Sequence, residues 1–484
     1  MRHTIVTAPI FFRNTLTGEK QLFTPQHGTN VSMYICGITP YDFAHVGHGR
    51  CYVTFDVLFR LLLASGYNVV YARNFTDIDD KLMVRAEKEF GDQNKYIDVA
   101  NRFINAYHED MQRINCLPPT YEPRVTEVIP EIITFIEGLV KKGNAYESNG
   151  SVYFAVDSFC DYCKLSKRNL DELRAGARVE VNDEKRNPLD FALWKAEPAN
   201  TFWQSPWGYG RPGWHIECSV MAEKFLGPSI DIHGGGMDLI FPHHENEVAQ
   251  SEALHGEIFA HYWLHNAFVR IDKEKMSKSL GNFFTLRQVF EKYDPMVVRF
   301  MILNHHYRSP LDFSFDDLDV AYKTYQRLCK LFEGTPTSLL DTSSSASASS
   351  ATRSGRGGKF ASPSISSDAV GVVSRYETNS LVSKMLDFLR DDLNTPGMWG
   401  VVFENFKKLQ EDEQSRAAVK AVLQNILGLT LVPLSEKELV LTPEIQALIA
   451  EREKARTARD WARSDQLRDQ LKVLGYEVQD KATK

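Results

Sequence analysis

The run Val31–Cys36 (VSMYIC) narrows the fold more than any other feature of this chain. It is short, apolar and rich in β-formers, and it ends at Gly37. After a loop bearing Pro40, Val53, Val57, Leu58, Leu61 and Leu62 recur at helical spacing, until Gly66 stops the helix. Asn68–Ala72 (NVVYA) then reads as a second strand. Strand, helix and strand in this order predict a βαβ unit, and such units build parallel sheets covered by helices. The expected fold class is therefore α/β, with a doubly wound parallel sheet.

The 484 residues are too many for one ordinary domain; at about 150 residues each, roughly three are expected. From about Tyr121 to Gln204 a helix (Pro130–Lys142) and short β-like runs such as Ser151–Val156 interrupt the α/β pattern, as an insertion would. The pattern returns at Ile230–His233, which runs into Gly234-Gly235-Gly236, with helical periodicity from about His244 to His255. Beyond Asp316 the chain reads as helical, and Thr442–Gly475 reads as one charged amphipathic helix. Residues 338–367, dominated by Ser, Ala, Gly and Thr, bury too little apolar surface to offset their ordering entropy and are expected to be a disordered linker.

A net charge of -7 excludes a generally basic nucleic-acid binder, but not RNA binding through a local patch. Seven scattered cysteines do not form a disulfide framework and suit a reducing, cytoplasmic setting. Cys160 and Cys163 form a lone CxxC and are expected to be free thiols. No stretch reaches the roughly 18 apolar residues of a membrane span, and Met1–Lys20 resembles neither a secretion signal nor a transit peptide.

Two motifs carry phosphate chemistry. His45-Val46-Gly47-His48 falls at the strand-to-helix junction, where a glycine admits a close ligand and a helix N-terminus offers unpaired N–H groups to an anion. Lys275-Met276-Ser277-Lys278-Ser279, followed by Gly281, suits a loop that closes on a polyphosphate. Together, HVGH and KMSKS in this order resemble the class I aminoacyl-tRNA synthetases, with valine where that family usually has isoleucine. Around them MYICGITPYDFAHVGHGR (33–50), RNFTDIDDK (73–81), GWHIECSVM (213–221), DIHGGGMDLIFPHHENEVAQ (231–250) and DDLNTP (391–396) narrow the resemblance to the cysteinyl-tRNA synthetases, over nearly the whole chain.

Cys36, Cys218, His243 and Glu247 are suitable zinc ligands by type, and His243 and Glu247 share a face if helical. Cys36 and Cys218 both flank strand-like segments. The spacing alone fits two buried cysteines beside a surface helix just as well. The resemblance implies that these four residues hold one Zn²⁺ per subunit, which takes the thiolate of the substrate. It further implies that Thr76, Trp214 and His233 line the amino-acid pocket. Gly47, Asp238 and Lys278 would bind ATP, which comes with Mg²⁺, and His45, His48, Lys275 and Lys278 would be catalytic.

The implied activity is ATP-dependent activation of L-cysteine and its transfer to tRNA(Cys), by a monomer without membrane attachment. The alternative is a cysteine ligase for an amino-sugar acceptor, as in mycothiol synthesis. The implied layout is a Rossmann-type catalytic domain in two parts, 1–120 and 205–265, split by a connective insertion at 121–204. A stem-contact segment bearing KMSKS (266–315), a helical bundle (316–430) and an anticodon-binding segment (431–484) follow.

Overall fold

The computed structural model describes residues 8–170, 172–173, 184–271, 274–275, 283–336, 376–434 and 443–473. The Ser-rich stretch 338–367 and Lys278 lie outside them. The chain divides into two units, residues 1–432 and 433–484.

In the first unit, an N-terminal hairpin (β1, Phe11–Arg13; β2, Lys20–Leu22) precedes β3 (Asn30–Ile38), α1 (Val46–Ala64) and β4 (Asn68–Phe75). This is the expected βαβ unit, each strand running two or three residues further than the apolar run suggests. α1 is buried on nearly every face, as befits a helix covered on both sides. Helices α2 (Asp80–Phe90), α3 (Tyr96–Arg113) and α4 (Ile129–Lys142) follow.

A five-stranded sheet comes next: β5 (Ala145–Ser148), β6 (Ser151–Phe154), β7 (Phe191–Ala196), β8 (Trp203–Ser205) and β9 (Gly208–Pro212). Its order is β5-β6-β7-β9-β8, every pair antiparallel. It continues past Gln204, the end of the insertion read from the sequence, to Pro212.

Helix α5 (Trp214–Leu226) leads to β10 (Ile230–Gly236), α6 (Glu245–His255) and β11 (Ala260–Asn266). β11, β10, β3 and β4 lie side by side in that order, all parallel. The chain leaves β3 toward β4 and returns on the other side of β3 as β10. The crevice at the carboxyl ends of β3 and β10 is thus the topological switch point where α/β sheets bind ligands. One apolar core joins both sheets, from Tyr34 and Trp263 to Phe154, Leu193 and Trp194.

The rest of this unit is mainly helical, and includes α7 (Leu286–Lys292), α8 (Pro295–Leu303) and α9 (Phe315–Phe332). The second unit corrects the single C-terminal helix: its described residues form two, α10 (Pro443–Thr457) and α11 (Trp461–Val473). Arg459 takes a left-handed backbone (φ 57) and ends the first. Asp460 then caps the second, accepting the Arg463 N–H at 3.0 Å.

Candidate active site and metal centre

Cys36 owes its position to a β-bulge. Register between β3 and β4 shifts between Ile35 and Ile38, so Cys36 and Gly37 stand against Asn74 alone. Gly37 is required there, because a Cβ would lie 1.6 Å from the Asn74 carbonyl oxygen. The Gly37 N–H donates to Asn74 Oδ1 at 2.8 Å, and the same oxygen lies 3.7 Å from Cys218 Sγ.

Cys218 does not flank a strand, as the sequence suggested; it lies in the first half of α5. Gly213 aims that helix: its N–H donates to Leu193 O at 2.8 Å, and an added Cβ would fall 1.9 Å from Ala192 O. His243 is the penultimate residue of the irregular turn Ile240–His244, and Glu247 lies in the first turn of α6. Four donor atoms, one from each of Cys36, Cys218, His243 and Glu247, lie within 4.8 Å of one another, and all four residues are buried. The sulfurs are 3.8 Å apart, and His243 Nε2 is 3.1 Å from Glu247 Oε1.

A second grouping, Cys36, His233, His244 and Glu247, meets the same limit. His233 Nε2 is 2.8 Å from Glu247 Oε2, and its ring stacks on Trp263. His244 Nε2 is 3.3 Å from Cys36 Sγ, while its Nδ1 meets His265 Nε2 at 2.8 Å. His265 Nδ1 reaches the Thr15 hydroxyl at 2.7 Å. His243 Nδ1 faces His215 Nδ1 at 3.0 Å, and Trp214 stacks on the His243 ring at 4.3 Å.

Burial dominates the electrostatics. It pushes the Cys36 thiol and the Glu247 carboxyl well up, and the His243 and His244 imidazoles well down. His233 and His265 fall to about 3 for the same reason. Two sulfurs, a carboxyl and imidazoles packed together are a donor set that a soft divalent metal fits.

The remaining expected residues fall around this cluster. Thr76, just past β4, donates its hydroxyl to Glu217 Oε2 at 2.9 Å. Asp238 lies in a short turn beyond β10, so close to Gly236 that a Cβ there would sit 2.4 Å from its Oδ1. His45 caps α1, and Gly47 is in the first turn. His45 and His48 stack at 3.7 Å, and each Nδ1 accepts the other residue's backbone N–H, at 3.2 and 3.3 Å. An imidazole accepting at Nδ1 carries its proton on Nε2.

Of Lys275 the structure gives only backbone pairing with Arg270. The segment after KMSKS returns to the HVGH motif: Val46 N–H donates to Phe284 O and Leu286 N–H to Ala44 O. The sequence reading missed Asn74, Glu217, His244 and His265. The first three lie inside strings already singled out, where polar residues interrupt apolar runs.

Residues 22–323 match the family described as tRNA synthetases class I (C) catalytic domain, and residues 440–484 match the cysteinyl-tRNA ligase anticodon binding domain. A cysteine–tRNA ligase of Pelobacter propionicus is 45% identical over 96% of this chain and 97% of its own length. One of Geobacter sulfurreducens is 45% identical over 97% of each. Among solved structures, a Mycobacterium tuberculosis methionyl-tRNA synthetase in complex with methionyl-adenylate superposes with a TM-score of 0.55 at 12% identity, covering 83% of this chain and 92% of that one. At that identity it speaks for the fold alone. With a catalytic profile across the α/β core, an anticodon-binding profile at the C-terminus and near full-length relatives, the chain belongs to the cysteine–tRNA ligase family of class I aminoacyl-tRNA synthetases.

Proposed function

We propose that Cys36, Cys218, His243 and Glu247 hold one Zn²⁺ per subunit and so select L-cysteine for activation with MgATP and transfer to tRNA(Cys). The observation that carries this is the convergence of the four donors in a buried pocket at the switch-point crevice. This grouping is preferred to the one with His233 and His244 because it uses both thiols, the softest donors present. His233 and His215 then orient Glu247 and His243 from outside.

Zinc there would supply a soft acceptor that favours a thiolate over a hydroxyl, the one difference between cysteine and serine. The protein residues do the rest. The substrate carboxylate attacks the α-phosphate of ATP, forming cysteinyl-adenylate and releasing pyrophosphate. A terminal adenosine hydroxyl of the tRNA then takes the acyl group and AMP leaves. His45 and His48, their Nδ1 atoms held by backbone, offer Nε2–H to the phosphates, beside the N-terminal amides of α1 around Gly47. Lys275 and Lys278 meet the departing pyrophosphate, and Asp238 the ribose. Thr76, Trp214 and His233 enclose the amino acid.

The segment 266–315 would contact the acceptor stem and 431–484 the anticodon, supported by the profile over 440–484. That profile also disfavours the amino-sugar ligase. A monomeric, cytoplasmic enzyme suits seven unpaired cysteines, and among the described residues no helix is long and apolar enough to cross a membrane.

The test is charging of tRNA with radiolabelled cysteine against a serine competitor, together with ATP–pyrophosphate exchange. Lys278→Ala is expected to depress exchange without lowering bound zinc. Failure to charge tRNA by protein with its zinc in place would point to the sugar ligase instead.

A further inference from the structure

The run Asp391–Pro396 (DDLNTP) takes no part in the metal or phosphate chemistry. Its ends have plain local tasks. Asp391 pairs with Lys20, and Asn394 caps the helix Thr395–Glu404, accepting the Gly397 N–H at 2.9 Å. Its middle is unusual. Asp392 (φ 59) and Leu393 (φ 53) both take the left-handed backbone, which a leucine adopts only at a steric cost. Such strain persists only where the surroundings enforce it.

The Asp392 carboxylate is what enforces it. It is 3% exposed and ties three segments together. Oδ1 accepts the Arg13 N–H of the N-terminal hairpin at 2.9 Å and the Tyr307 hydroxyl at 2.7 Å. Oδ2 accepts the Arg308 Nε–H at 2.7 Å. The Asp392 N–H itself donates to Phe11 O at 2.9 Å. Tyr307 and Arg308 are the middle of a tight turn, closed by the Ser309 N–H donating to His306 O at 3.0 Å. From the other side Arg50 grips the same turn. Its guanidinium donates to His306 O and Tyr307 O, both at 3.2 Å, to Ser309 O, and to Phe268 O at 2.9 Å. Arg50 is 1% exposed, and among the described residues no acidic side chain pairs with it. It stands on α1, two residues past His48.

A buried ion cluster of this kind adds little net stability over apolar packing, because desolvating the charges offsets their attraction. What it adds is direction. Asp392 sets where the three carbonyls of the turn point, and they set Arg50. Packing alone leaves this open, since Arg50, Tyr307 and Leu393 border a small cavity. We propose that Asp392 is a positioning residue for the phosphate-binding start of α1, acting through the turn His306–Ser309 and Arg50. It keeps His45 and His48 aimed at the phosphates from a strained turn in the helical part of the chain. This inference rests on the reading that the start of α1 meets ATP.

The test is ATP–pyrophosphate exchange on the full, zinc-loaded chain, below the unfolding transition of each variant. Asp392→Asn keeps the size and the tolerance of a left-handed backbone but loses the charge. It should lower kcat/KM for ATP by about tenfold to a hundredfold, as a misplacement of about 1 Å does. Zinc content and KM for cysteine should stay as in the parent. Arg50→Lys, whose ammonium cannot span four carbonyls, should act alike. The double variant should fall no further than the more impaired single one, because both work through one turn. Effects that multiply, or that fall equally on ATP and cysteine, would overturn the inference. So would an Asp392→Asn protein with lowered stability and unaltered kcat/KM for ATP, since that is what a packing role predicts. His45→Ala separates the two readings. If it impairs exchange and Asp392→Asn does not, only the Asp392 inference fails. If His45→Ala changes nothing toward ATP, the reading of α1 fails and this inference falls with it.

Discussion

The two large sheets of the first unit serve the site in different ways. The parallel sheet delivers chemistry at the ends of its strands: Cys36 at the bulge in β3, Thr76 beyond β4, His233 in β10 and His265 in β11. The antiparallel sheet supplies none of the four donors. Its contribution is mechanical, through the tight joint of Gly213 against Ala192 and Leu193 that fixes where α5, and with it Cys218, begins. Parallel strands all stop on one side, so their ends can pool side chains in one crevice. Antiparallel strands stop on alternate sides and pool nothing, which leaves packing as their main output.

Cys218→Ser should break this division most sharply. Exchanging a soft thiolate for a hydroxyl is expected to remove zinc and relax discrimination against serine, and to lower cysteine activation by at least about a thousandfold, a loss of roughly 4 kcal/mol of transition-state stabilisation. Zinc content and competition between cysteine and serine check it. A Cys218→Ser protein with full zinc and undiminished selectivity would mean that the second grouping, with His233 and His244, holds the metal.

Leu193→Ala makes the opposite cut. Leu193 is fully buried in β7, and its truncation should cost about 2–5 kcal/mol of stability. At temperatures where the variant remains folded, zinc stoichiometry and the preference for cysteine over serine should match the parent. A selective loss of zinc with little loss of stability would show that the antiparallel sheet tunes the cluster directly.

Asp110 extends the contrast to buried charge on the parallel half. It is buried on α3 beside Arg287 of α7, with Nε 3.1 Å from its carboxylate. Burial raises its carboxyl from the ordinary 3.8 to about 6, with Arg287 only partly offsetting this. The folded chain therefore binds the proton more tightly than the unfolded chain does. Stability from this group is greatest below about pH 4, falls as pH rises toward 6, and stays lowered above that. Asp110→Asn should therefore be more stable than the parent at pH 8 by up to about 3 kcal/mol, with the gain vanishing near pH 4. Urea denaturation at the two pH values measures it, and a gain independent of pH would contradict the assignment.

How much of this was legible in the sequence follows the same line. Short apolar runs marked β3 and β4, and apolar residues at helical spacing marked α1, although α1 is in fact buried on nearly every face. The strings around Cys36, Cys218, His243 and Glu247 marked the cluster through family likeness, since their spacing carries no metal signature. The bulge was not legible: Gly37 is one glycine among many until Asn74 O is placed 1.6 Å from its missing Cβ. Glu217 and Asn74 were passed over because a polar residue in the sequence does not disclose that it is buried. The break at Arg459 was hidden because charged residues suit a helix and a left-handed turn between two helices about equally.

The smallest expected effect is at the rim of the antiparallel sheet, where Lys195 Nζ lies 3.5 Å from Asp80 Oδ2. Both side chains are exposed, and Arg211 also pairs with Asp80, at 2.5 Å. Such a pair is worth less than about 1 kcal/mol and is weakened further by salt, so Lys195→Ala should leave the unfolding midpoint nearly unchanged. Yet Lys195 also lines a cavity of about 510 Å³ with Lys185, Trp214 and His215, directly beside the cluster. A phosphate chain entering there would lose one cationic contact, and contacts of that kind bring a few-fold in affinity. The expected outcome is thus unchanged stability and cysteine activation, with a few-fold higher KM for tRNA that shrinks as ionic strength rises. An unchanged KM would confine the antiparallel sheet to its mechanical part. A fall in cysteine activation would instead mean that its rim reaches the chemistry, and the division between the two sheets would no longer hold.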